Sequence, residues 1–475
     1  IKIIDKAQVI KLLVEDKTVT GLLAIDLSVT DKVEYIAIKS SNVVIATGGP
    51  ASIYFDSVYP VCHTGFSSLA LDAGADFYNL SEWQYGLASI DFRWNVSGTY
   101  QQVLPRYISI DENGVEREFL LEYMDKKDMI KNIFLKGYEW PFDVRKIFGS
   151  SYIDLLVYNE SVIKGRKVYM DFTREPSGLE DGFESIDKVA YDYLKNSEAL
   201  IKLPIERLRK MNKGAIDLYK QHNIDIEKEP LRIAVCAQHN NGGIGVDSDY
   251  KTNIKGLFAS GECAGTFGIF RPGGSALNST QVSSLRVAEY IKYKSDNKVS
   301  KNFDKLLNSA INDFDVLIKK TKGSSSTVKE MRTKYQKAMS ENFAFIRDLN
   351  KMGNALSVIE SRLECFENDN KWENFVQIPQ LIKNLDIIKM QRAVAKSMIY
   401  SAENYGSRGS GFVIKGGSFL DRSPVKENEI GRNKILLTEL FNNGIKTADR
   451  DRKPIPQRDL WFEKVWNEYK KIRNN

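Results

Sequence analysis

The sequence predicts an α/β protein that carries an inserted α+β segment and ends in a bundle of helices. Three observations predict it. Asn42-Val43-Val44-Ile45-Ala46 is a short continuous apolar run, as in a strand buried on both faces, and it stops at Thr47-Gly48-Gly49-Pro50. Glycine concentrates between His239 and Gly274, directly before a helical pattern over 275–294. Beyond Lys301, apolar residues recur at spacings of three and four. The chain has 475 residues and 42% hydrophobic content. Such a length suggests about two to four domains with sizeable cores.

Each element follows in order. The opening residues, from Ile1 to Ile10, alternate like a strand, so the chain reads as starting inside a domain. Residues 18–27 and 33–39 alternate as strands, and 63–74 reads as a helix with Leu69 and Ala70 inward. From about residue 80 to 230 the composition turns aromatic and charged, with the turn Asp111-Glu112-Asn113-Gly114 between two strands and a helix from Glu206 to Gln221. Residues 254–259 read as a strand, and the 275–294 helix carries Leu277, Val282, Leu285, Ala288 and Ile291 as its apolar set. Three stripes then predict a three-helix bundle: Phe303 to Leu317, Val328 to Leu349, and Leu381 to Ala402. The stretch from Gly406 onward has little periodicity, and Arg450-Asp451-Arg452-Lys453 reads as a solvated run.

Composition excludes several classes. Lys+Arg 68 against Asp+Glu 62 gives a net charge of +6, a weak field at this length, so no nucleic-acid partner is expected. None of Cys62, Cys236, Cys263 and Cys365 forms a C-x-x-C pair, so no metal site is expected, and reduced thiols of a cytoplasmic protein are. No apolar run approaches the roughly 18 residues of a membrane span. The histidines are His63, His222 and His239, too few for a mechanism built on a histidine cluster.

The window from Cys236 to Leu285 is where chemistry is expected. Glycines let backbone approach a planar ligand, and the helix that opens near Ser275 would turn free N–H groups toward it. If that ligand is a flavin, the helix start stabilises the anion of its reduced ring. Spacing alone leaves an ordinary glycine-rich loop equally open.

The window resembles the flavoprotein subunits of fumarate reductase, succinate dehydrogenase and L-aspartate oxidase. His239-Asn240-Asn241-Gly242-Gly243-Ile244 resembles H-x-x-x-G-G-I with one residue fewer. Gly256-Leu257-Phe258-Ala259-Ser260-Gly261-Glu262 resembles G-L-Y-A-x-G-E, and Phe270-Arg271-Pro272-Gly273-Gly274-Ser275-Ala276-Leu277 resembles N-R-L-G-G-N-S-L. Residues 44–49 resemble V-I-L-A-T-G-G, Thr64-Gly65 with 73–75 resemble T-G-D-G…A-G-A, residues 165–171 resemble G-R-x-V-Y-x-D, and Ser407-Arg408-Gly409 weakly resembles the end of the family's helical domain.

That resemblance implies an FAD-binding Rossmann-like domain, partial, at 1–95 and 231–298, a capping domain at 96–230, a helical domain at 299–412 and a tail at 413–475. It implies FAD contacts at Thr47, Gly48, Gly49, Thr64, Gly65, Glu262, Ser275, Ala276 and Leu277. It implies that His239 and Arg271 hold a substrate carboxylate, for which a guanidinium is suited, and that Arg145 is the candidate for the family's proton-moving arginine, although its motif is out of register. The implied reaction is hydride transfer between flavin and a CH–CH bond beside a carboxylate, with the electron donor or acceptor left open. The alternatives are an amino-acid or amine oxidase on the same scaffold, or a non-catalytic flavoprotein subunit.

Two departures qualify this. Gly86 stands where the family has a substrate-side histidine, which argues against fumarate or succinate; the aromatics Trp83, Tyr85, Phe92, Trp94 and Tyr100 either line a larger pocket or form core. The phosphate-binding G-x-G-x-x-G that family members carry upstream is absent, so the first βαβ unit is expected to be missing and the sequence to be a fragment.

Overall fold

The computed structural model describes residues 1–180, 182–296, 301–452 and 461–474. Near its start, strands Ala7–Glu15, Thr18–Asp26 and Tyr35–Lys39 form an antiparallel sheet. Its first strand begins at Ala7 rather than at the opening residue. Helix Phe303–Thr321 lies on this sheet, where Phe303 and Ala310 join Leu13 and Leu23 in a small separate core.

The apolar run condenses into a strand, Val43–Ile45, paired in parallel with Leu257–Ala259. Among the described residues its other edge has no partner strand. Ile45 is buried but Val44 is 42% exposed, so the expectation of burial on both faces fails for want of a covering layer.

A six-stranded sheet spans the middle of the chain. Its order is Trp94–Asn95, Trp83–Ser89, Leu231–Asn240, Lys167–Asp171, Arg106–Ile110, Glu116–Arg117. Leu231–Asn240 therefore joins the two halves of the sheet, pairing with Lys167–Asp171 inside the 96–230 segment on one edge and with Trp83–Ser89 before it on the other. The antiparallel register sets Gln84 opposite His239 and Gly86 opposite Cys236, with an irregularity between Ala237 and His239. Side chains alternate along a strand, so Gln84 and Gly86 share a face.

The helical region differs from its sequence reading. The Val328 stripe breaks after helix Val328–Asn342; Ile346–Asp348 is a strand, and a further helix, Leu349–Glu364, follows. The bundle consists of these two helices with Ile378–Tyr405, while the Phe303–Thr321 helix belongs to the first sheet instead. The 63–74 helix shortens to Ser68–Asp72. The tail is also more regular than its pattern suggests: Lys434–Phe441 and Gly444–Asp451 form a hairpin that extends the sheet of Phe77–Tyr78 and Gly243–Ile244, and Trp461–Asn474 is helical. Arg450, Asp451 and Arg452 are exposed, and Lys453 lies outside the described residues.

Two buried groups fasten the long helix Ile378–Tyr405 and the turn after it. Arg408, 3% exposed, meets Glu82 with Nη2 at 2.8 Å and Nε at 3.0 Å, and donates to the Gly431 carbonyl. Glu82 immediately precedes the Trp83–Ser89 strand, and its carbonyl accepts the N–H groups of Asn241 and Gly242. Asp386 accepts the Ser68 N–H at the start of the short helix, and burial pushes its carboxyl up to about 6.

Breaking the first contact with Arg408→Met would leave a buried carboxylate uncompensated and destabilise the fold by about 3–5 kcal/mol, whereas a joint Glu82→Gln change should recover part of that loss in urea unfolding. For Asp386, a raised folded-state pKa means that the native state binds the proton more tightly. Stability is then greatest below the ordinary carboxylate range and falls as pH rises from that range through about 6. Asp386→Asn should flatten that slope and add about 2–3 kcal/mol at neutral pH, read from unfolding midpoints at several pH values.

Candidate cofactor and substrate site

The Thr47-Gly48-Gly49-Pro50 turn follows directly from the Val43–Ile45 strand. Gly48 is left-handed at φ +72°, and the His63 ring packs where its side chain would be. His63 Nε2 lies 3.0 Å from the Gly49 carbonyl, which can only accept, so this nitrogen carries the proton. Gly65 is left-handed at φ +87°, and a Cβ there would stand 2.6 Å from the Gly49 oxygen. Thr47, Thr64 and Gly65 line one cavity of about 480 Å³, walled by Leu12, Leu22 and Val43.

Glu262 lies behind this turn. It accepts the Asn240 N–H at 2.9 Å and the Tyr59 hydroxyl, and burial raises its carboxyl pKa. A Cβ on Gly49 would come within 2.6 Å of its Oε1, so Glu262 buttresses the turn. Asn240 is fully buried beside Gly49, and neither atom of its carboxamide has a partner.

Ser275, Ala276 and Leu277 open helix Ser275–Tyr293, behind the left-handed Gly274. The predicted apolar face of this helix is open: Leu277, Val282 and Leu285 are exposed, while Ser283 and Val287 are buried. Polar contacts seat it instead, because the Ser283 hydroxyl accepts the Gly261 N–H at 3.1 Å and bonds the Ser260 hydroxyl at 2.8 Å.

His239 and Arg271 converge through Gln84. Arg271 Nε donates to Gln84 Oε1 at 2.8 Å, and Gln84 Nε2 donates back to the Arg271 carbonyl at 3.2 Å. Gln84 in turn pairs with His239 across the sheet. Burial is the main cause that lowers His239 to about 3, and the charge of Arg271 adds to it. Its Nε2 is buried and unpaired, while Phe267 meets the ring edge-on at 4.7 Å.

Arg145 reaches the same loop. It is forked onto Asp143 and lies over the Phe270 ring at 3.8 Å, with its side chain 59% exposed. Gly86 is roofed by Trp140: a Cβ there would fall 2.5 Å from the indole nitrogen, itself buried and unpaired. The aromatic run is mostly packing, with Trp83 and Tyr85 against Tyr54, Tyr100 against Tyr219, and Phe92 stacked on His222 and Trp94. Sequence reading missed Gln84, Trp140 and Asn241 as site residues. Period-two alternation with Gly86 is the signal that could have found Gln84; nothing local marks Trp140.

A parallel strand ending in a glycine turn with a cavity beside it is a feature of an FAD-binding domain; Ser275, Ala276 and Leu277 do not line that cavity. The residues fit the cofactor, since Thr47, Thr64 and Gly65 share one cavity and the orphaned Asn240 carboxamide lies behind the turn. The sequence pattern of the FAD binding domain family matches residues 1–277, more than half of the chain, and the protein belongs to that family. It is 24% identical over 369 residues to a component of the fumarate reductase (CoM/CoB) of Methanothermobacter marburgensis, covering 77% of this chain and 58% of that protein. It is 25% identical over 418 residues to an uncharacterized FAD-dependent oxidoreductase of Methanocaldococcus jannaschii, covering 86% and 66%. The chain thus spans about 58% and 66% of these two relatives. The fold matches E. coli quinol fumarate reductase FrdA at a TM-score of 0.62 and 19% identity, over 96% of this chain and 73% of that one. No helix among the described residues is long and apolar enough to cross a membrane.

Gly65→Ala, strained by its positive φ and by the close Gly49 oxygen, should cost about 1–3 kcal/mol locally and lower FAD affinity about tenfold or more, measured by flavin fluorescence on reconstitution.

Proposed function

We propose that this chain is the catalytic body of an FAD-dependent oxidoreductase that moves a hydride between flavin and a carbon adjacent to a carboxylate. In this reading residues 1–95 and 231–298 hold the cofactor, 96–230 cap the substrate, and 299–412 brace both. FAD supplies the two-electron acceptor or donor when bound. Thr47, Gly48, Gly49, Thr64 and Gly65 would hold it, and Ser275, Ala276 and Leu277 would set the positive end of a helix against its ring.

One observation carries the reading: Arg271 is held at the substrate side by the neutral Gln84 carboxamide, 2.8 Å from its Nε. A carboxamide orients a guanidinium without neutralising it, so its charge stays available to a carboxylate. Neutral His239 lies across the strand pair from Gln84, and the Trp140 indole covers Gly86 on the Gln84 face. Arg145, over Phe270, is the capping-segment arginine nearest to that loop and the candidate for moving a proton. Gly86 removes a histidine that a four-carbon dicarboxylate would use, which supports a substrate other than fumarate or succinate.

The test is anaerobic reduction or reoxidation of the flavin by a panel of carboxylates and their unsaturated counterparts. Activity on a carboxylate is expected, and Arg271→Gln should lose about 2–4 kcal/mol of transition-state binding, roughly 30- to 10³-fold in kcat/KM. Arg145→Met should lower kcat with little change in KM. A flavin that no carboxylate reduces, reoxidises or perturbs would overturn the proposal.

A further inference from the structure

The hydrogen-bond chain behind His239 fixes which ring nitrogen holds its proton. Asn241, fully buried, donates through Nδ2 to the Ile269 carbonyl at 3.1 Å. A carbonyl only accepts, so the carboxamide cannot be turned around, and its Oδ1 is the atom that faces His239 Nδ1 at 3.0 Å. That oxygen also only accepts, so Nδ1 bears the hydrogen. The neutral ring then presents a bare lone pair at Nε2, which is buried and has no partner. Burial, with the charge of Arg271, keeps the ring neutral throughout the physiological range.

A bare Nε2 repels a carboxylate oxygen. We propose that Asn241 sets His239 as a hydrogen-bond acceptor, so that the substrate of this site places its carboxylate on Arg271 and brings a donor, a hydroxyl or an N–H, to His239 Nε2. Asn241 is a positioning residue in this scheme and His239 a specificity residue. The proposal rests on the reading of Arg271 as the carboxylate anchor.

The tautomer is measurable apart from any substrate, because the protein has three histidines. In the FAD-loaded protein labelled with ¹⁵N-histidine, His239 is identified by its loss in His239→Gln. Its Nδ1 should read as protonated and its Nε2 as bare at neutral pH. Asn241→Leu should introduce the opposite tautomer, and Asn241→Asp, whose carboxylate also only accepts, should keep the original one. A wild-type ring protonated at Nε2, or an Asn241→Leu spectrum unchanged from wild type, would overturn the proposal.

The ligand half is tested by titrating the flavin absorbance with propanoate, 2-methoxypropanoate, 2-hydroxypropanoate and 2-aminopropanoate. The two donor-bearing acids should bind at least tenfold more tightly than the two without a donor, and that advantage should shrink in Asn241→Leu. Tighter binding of the hydroxy acid or of the amino acid tells which donor is used. Equal binding of all four acids sinks the acceptor role of His239 while leaving Arg271 as anchor. Binding of none sinks the Arg271 reading, and the ligand half of the proposal with it, whatever the tautomer.

Discussion

The buried ion pair between Glu82 and Arg408 is the contact on which the site geometry depends. It joins the end of the long helix to the residue before the Trp83–Ser89 strand. The same Glu82 offers its carbonyl to Asn241 and Gly242, just past the end of the neighbouring strand. Three segments far apart in sequence are thus tied at one point. Next to that point stand Gln84, Gly86, His239 and Asn241. The Val144 N–H donates to the Gly409 carbonyl, which brings the Arg145 turn to the same place. A charged pair buried this deeply is a weak source of net stability, but losing one partner is severe. Its value here lies in register: it leaves the strand pair one alignment, and a slip by one residue would turn Gln84 away from Arg271.

The glycine turns of the candidate cofactor region were legible because backbone conformation dictates their residues. Thr47-Gly48-Gly49, Thr64-Gly65 and Gly274 lie where the chain must turn left-handed or pass close to another segment, and such positions leave a mark in any sequence. The Thr18–Asp26 and Tyr35–Lys39 strands and the 275–293 helix were legible from periodicity, and the Arg106–Arg117 hairpin from its turn residues Asp111-Glu112-Asn113-Gly114. The same periodicity misled where it ran through a break. Phe343, Ile346 and Leu349 continue a helical stripe on paper, but the chain turns after Asn342 and pairs Ile346–Asp348 with Phe412–Ile414. Tertiary pairing overrode a local pattern there. The apolar residues of the Ser275–Tyr293 helix show the converse, since their spacing is regular and yet serines provide the buried face.

Around the candidate substrate residues less was legible: the sequence singled out Arg271 and His239, but not that both meet Gln84. Gln84 acquires its role from a partner 187 residues away, Asn241 from the carbonyl of Ile269, and Trp140 from the missing side chain of Gly86. None of these relations has a sequence spacing. Arg145 shows the same limit, because the aromatic face that holds it belongs to a loop it never approaches in sequence.

The clasp between Gln84 and Arg271 has a consequence of its own. One primary amide grips the arginine at both its side chain and its main chain, giving with one atom and taking with the other. Only a group of mixed polarity can do both. An acid at position 84 would hold the guanidinium harder, yet would forfeit the main-chain half of the grip and cancel the electric field reaching outward. Converting that single amide to an acid would therefore trade a two-sided grip for a one-sided one and place a carboxylate inside a buried strand.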